Sequence, residues 1–122
     1  MAKAFGELFK HHRMASSQTL RGFCIGHGFD PGNISKLERG ILAPPQSEEK
    51  LREYAQALRI PAGSDEFREF IDLGSACAGQ IPTEVMADEN LVPKLPVLLR
   101  TISGKKLSPK QLDKLIEEIR RA

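Results

Sequence analysis

The chain has 122 residues, of which 40% are hydrophobic and 28% charged, with a formal net charge of +2. That balance excludes a disordered polymer and allows either one domain with a modest core or one domain plus an appendage. No apolar run approaches the ~20 residues of a membrane span, and nothing at the N-terminus resembles a signal peptide, so a cytoplasmic protein with no membrane partner is expected.

Aromatic residues are sparse and Trp is absent, so the expected core is mainly aliphatic. A first helix is expected over about Lys3 to Met14, where Phe5, Leu8, Phe9 and His12 recur at helical spacing. Ser16 to Thr19 breaks it, and Thr19 can cap a second helix from Leu20 to His27 that packs through Phe23 and Cys24. Gly28 suits the left-handed residue that closes such a helix. Asp30-Pro31 then reads as a cap followed by a first helical residue whose missing N–H costs nothing. The third helix runs to Arg39, stops at Gly40, and turns Ile34, Leu37 and Glu38 inward. Ile41 to Pro45 is a loop. Ser47 caps a fourth helix with the stripe Leu51, Tyr54, Ala55 and Leu58, ended by Pro61.

A fifth helix begins near Ser64, with Phe67, Phe70, Ile71 and Gly74 inward and Glu66, Glu69 and Asp72 on a solvated face. Ser75 to Pro82 is small and irregular. Thr83 to Glu89 holds at most one helical turn. Pro96 opens a helix through Leu98, Leu99 and Ile102 that stops near Gly104. Ser108-Pro109-Lys110-Gln111 carries capping-box chemistry, and Leu112, Leu115, Ile116 and Ile119 give the last helix a clean apolar stripe. No segment alternates long enough to be a strand, so the fold class is all-α. Cys24 and Cys77 lie in apolar helical patterns and are expected to be buried free thiols.

Charge is segregated. Residues 1–46 carry six Lys/Arg and three Asp/Glu, residues 61–92 one and seven, and residues 93–122 eight and three. This is the pattern of a chain with one face toward phosphate and another away from it. Around the third helix, small, amide-bearing and basic residues are left on the outward side, a composition suited to the DNA major groove. Lys36 can donate to guanine O6 and N7 or bind a phosphate. Asn33 can pair with adenine or cap the helix. Pro31 and Ser35 can touch a thymine methyl or a phosphate, and Gly32 lets the backbone approach the groove edge. Thr19, Leu20 and Arg21 at the start of the second helix, with Arg39, are candidate phosphate contacts.

No Ser/His/Asp arrangement, glycine-rich phosphate loop or carboxylate pair stands in a context that supports catalysis. Cys24 and His27, spaced i, i+3, supply only two metal ligands. No enzymatic activity, cofactor or metal is expected.

The segments FGELFKHHR, TLRGFCIGHGFDPGNISKLERG and SEEKLREYAQALRI, within about residues 5–60, resemble the helix-turn-helix domain of the Xre/Cro/phage-repressor family. The resemblance implies a compact five-helix, lambda-repressor-like domain over residues 1–76. Residues 77–122 are expected to form a helical extension for dimerisation or partner binding, because the apolar stripes of its short helices need a covering surface. It implies that the third helix, 31–39, enters the major groove of double-stranded DNA and that the protein binds its operator as a homodimer. Arg13 and Glu38 match a family pair that joins the first helix to the third. The chain departs from the family pattern at Leu20, where Gln is frequent, at His27, and in the unbasic loop Ile41–Pro45. Three functions follow as expectations: a sequence-specific transcriptional repressor; an antitoxin that autoregulates its operon and binds a toxin through its C-terminal part; and an interaction module that keeps the fold without DNA.

Overall fold

The structure, a computed structural model, describes residues 3–122. Among them the chain is all-helical: α1 Lys3–Ala15, α2 Leu20–His27, α3 Pro31–Glu38, α4 Glu48–Ala57, α5 Asp65–Cys77, α6 Thr83–Met86, α7 Leu95–Lys105 and α8 Pro109–Arg121, with a 3-10 turn at Val92–Lys94. No strand occurs among these residues. The chain divides into two compact units, the first ending at Pro82 and the second running from Thr83 to Ala122.

In the first unit α1 packs on α3 and α5, α2 on α3, and α4 on α5. By count the buried core is mainly aliphatic, as expected, but its centre is a cluster of aromatic rings. Phe5, Phe9, Phe23 and Phe70 are fully buried, and Phe9 meets Phe23 and Tyr54 edge-on at centroid distances of 5.7 and 5.4 Å. All six Phe and the single Tyr lie between residues 5 and 70. A low chain-wide average therefore conceals a local concentration, and edge-to-face pairs are the arrangement that the ring quadrupoles favour.

The starts of α2, α3, α4 and α5 follow the local chemistry. The side chains of Thr19, Asp30, Ser47 and Ser64 accept from the main-chain N–H of Gly22, Asn33, Lys50 and Phe67, respectively. The ends of α4 and α5 depart from the sequence reading. Pro61 does not end α4: the helix stops at Ala57, and Arg59 takes a left-handed turn (φ 61°) before the proline is reached. Ser75 to Cys77 is not irregular but extends α5, and Ser75 is buried. Cys24 is buried as expected, whereas Cys77 is only half-buried; both are free thiols.

Two glycines set how closely the helices approach. A Cβ on Gly6 would sit 2.5 Å from the carbonyl oxygens of both Leu37 and Glu38, so α1 lies directly against the end of α3. A Cβ on Gly74 would sit 2.7 Å from Leu51, closing α5 onto α4.

The second unit is built differently. None of its residues is buried. The Asp88 carboxylate accepts from the N–H groups of Asn90 and Leu91 and turns the chain toward the 3-10 segment. Helix α7 begins at Leu95, one residue before Pro96, and passes through Gly104 to Lys105; Lys106 (φ 48°), not the glycine, takes the left-handed closing position. The Ser108–Gln111 capping box opens α8 as expected. No helix among the described residues is long and apolar enough to cross a membrane.

Replacing Gly6 with Ala is expected to cost about 1–3 kcal/mol, because the backbones must separate. By contrast, Gly26 in α2 has nothing within 4 Å of a built Cβ, and Gly26→Ala should stabilise by about 0.5–1 kcal/mol. Urea denaturation of the two variants should give shifts of opposite sign.

Candidate nucleic-acid interface

Helix α3 is held from behind and open in front. Ile34, Leu37 and Glu38 face inward and are buried. Pro31, Gly32, Asn33, Lys36 and Arg39 are exposed, and Ser35 is half-buried. The Asp30 carboxylate lies 2.9 Å from the Asn33 N–H, so the cap occupies one of the donors at the helix start. With no side chain on Gly32, the first turn offers backbone rather than bulk, while Lys36 extends one turn further on. Arg39 lies back along the helix, its Nε donating to the Ser35 carbonyl at 3.3 Å.

The start of α2 gives a second set of groups. Thr19 Oγ1 accepts from the Gly22 N–H at 3.0 Å. The N–H groups of Leu20 and Arg21 precede the helical ladder and have no partner within it. The Leu20 side chain packs against the core, so its main-chain N–H, not its side chain, is the group that can meet an anion. Arg21 is exposed.

Behind α3 lies the pair that joins it to α1. Arg13 Nε donates to Glu38 Oε2 at 2.7 Å and Nη2 to Oε1 at 3.0 Å, a bidentate contact with both side chains less than one-tenth exposed. The third nitrogen, Nη1, donates to the Gln18 carbonyl at 2.8 Å. The Gln18 amide in turn donates to Ser16 Oγ and to the Ala57 carbonyl at the end of α4. The hydrogen bond to Glu38 raises the Arg13 pKa above its ordinary value, so the guanidinium stays charged at any working pH. Burial, with a further contribution from Glu38, raises the Cys24 thiol.

The sequence reading did not single out Gln18 or Gly6. Gln18 contacts partners far along the chain, which periodicity does not report, and Gly6 could have been flagged only as a small residue inside an apolar stripe. His27, the unusual residue at the end of α2, is exposed; its ring lies 5.1 Å from that of Phe23 and its Nε2 3.4 Å from Gln18 Oε1. No group of three or more His, Cys, Asp or Glu among the described residues is placed to hold a metal ion.

No protein-family model, curated protein or solved structure matches this chain.

Two outcomes test this geometry. Arg13→Met should cost about 3–5 kcal/mol, because it leaves a buried carboxylate alone, and the double variant Arg13→Met/Glu38→Leu should recover most of that loss. A double variant as unstable as the single one would show that the pair contributes more than mutual neutralisation. Asp30→Ala should cost about 1 kcal/mol by removing the cap; an unchanged urea midpoint would show that α3 is held by its core contacts alone.

Proposed function

We propose that this chain is a sequence-specific DNA-binding transcriptional regulator, a repressor rather than an enzyme, whose first unit is a lambda-repressor-like helix-turn-helix domain. In this reading α3 lies in the major groove and the start of α2 meets the phosphate backbone. The observation that carries it is the two-sidedness of α3. Its inward residues are buried and tied to α1, while its outward face is a capped N-terminus, a glycine, an amide and a lysine. Such a face reaches base edges without a bulky obstruction.

Lys36 and Asn33 are the base-reading candidates, with Pro31, Gly32 and Ser35 lining the approach. Arg21, Arg39 and the N–H groups after Thr19 neutralise or orient phosphates, which positions the protein without specifying sequence. A regulator of this size gains specificity by reading two half-sites, so it acts as a homodimer on operator DNA. Charge segregation supports the same reading: residues 1–46 carry a net +3 and residues 61–92 a net −6, so the acidic segment follows the reading elements rather than containing them.

The test is selection of a binding site from random duplex DNA with the full-length protein, followed by anisotropy on the selected site. Lys36→Ala should weaken that site by about 1–3 kcal/mol, roughly 5- to 150-fold, with little change in melting temperature. Affinity should also fall steeply with salt, as counterions are released from the phosphates. Equal loss on random DNA would reassign Lys36 to phosphate contact. Failure to enrich any site would overturn the proposed function.

A further inference from the structure

We propose that helices α7 and α8 form the surface on which two copies of this chain meet, with α8 running antiparallel to α8 of the second copy. The inference deepens the proposed function, resting on it only for the purpose of a dimer; the physical argument comes from the second unit itself.

That unit has three α-helices and no buried residue. Leu98, Leu99, Ile116 and Ile119 are 46–66% exposed, and Ile102, Leu112 and Leu115 are half-buried. Helices of 11 and 13 residues are marginal in water unless an apolar face is covered. Covering these side chains removes on the order of 500 Å² of apolar surface per chain. With a polar rim in the usual proportion, the interface reaches about 800 Å² per partner, the size of a specific dimer.

The charges on α8 select a second copy and an orientation. Leu112, Leu115, Ile116 and Ile119 share one face. Lys110, Lys114 and Arg121 lie on the opposite side, so they do not obstruct the stripe, and Arg121 already reaches Glu117 at 3.8 Å. Asp113 and Arg120, seven residues apart, flank the stripe along one edge; neither has an ion-pair partner among the described residues. About a two-fold axis perpendicular to the helices, like edge meets like edge with the order reversed. Asp113 of one copy then faces Arg120 of the other, twice, beside the joined apolar stripes.

Sedimentation of the full-length chain, without DNA, decides this. A dimer is expected at tens of micromolar, a range in which specific dimers persist. Ile116→Glu should give a monomer with an unchanged melting transition of the first unit. Asp113→Arg should weaken the dimer at least tenfold, and the exchanged pair Asp113→Arg/Arg120→Asp should restore it. A wild-type monomer at that concentration, or a dimer that survives Ile116→Glu, would overturn the proposal. Exchanged charges no better than Asp113→Arg alone would overturn the antiparallel pairing. Because DNA plays no part in the measurement, failure of α3 to read an operator would leave these results untouched.

Discussion

The Arg13–Glu38 contact is the constraint on which the rest of the first unit depends. A buried ion pair adds little net stability, because removing both charges from water offsets most of their attraction. Its value is geometric. Two parallel hydrogen bonds at 2.7 and 3.0 Å admit one relative orientation of guanidinium and carboxylate. Since Glu38 is the last residue of α3, that orientation fixes the end of the helix whose outward face carries Lys36. The Arg13–Gln18 bond extends the constraint to the approach to α2, and Gln18 carries it on to the end of α4. Gly6 allows the pair to form by bringing the α1 backbone against the Leu37 and Glu38 carbonyls.

The two units solve the problem of burial in opposite ways. The first encloses interlocking rings, supplemented by Leu51, Ile34, Leu37 and Leu58, and among its described residues no buried side-chain polar atom lacks a hydrogen-bond partner. The second has helices with apolar faces but no interior. Chains of this length below the first unit's size seldom hold a core without outside contacts, and the second unit's sequence spends its large aliphatic residues on faces instead. This difference also separates the kinds of chemistry available. The first unit presents polar groups on a rigid frame, and the second presents apolar surface with charges at its edge.

What could be read in the sequence was local. The caps at Thr19, Asp30, Ser47, Ser64 and Ser108 each involve a side chain and a main-chain N–H three residues on, so they were legible in order. The outward face of α3 was legible by subtraction, because the spacing of Ile34, Leu37 and Glu38 leaves only one side for the rest. Helix ends were less legible. Arg59 and Lys106 take left-handed positions that glycine usually fills, while Gly104 continues its helix; backbone closure there follows neighbouring turns rather than residue type. The aromatic centre escaped a reading based on average composition. Gln18 and Gly6 escaped because their roles exist only across elements distant in the chain.

The placement of the two thiols gives the molecule an internal clock. Cys24 sits at 1% exposure among the rings of the core, with its ionisation suppressed by burial, so a thiol reagent reaches it only in molecules whose first unit has opened. Cys77, half-buried at the end of α5, is reachable without that opening. The ratio of the two modification rates thus reads out how often the frame behind α3 comes apart under native conditions. Fraying at the end of α5 and loss of the whole interior register on different sulfur atoms of the same chain.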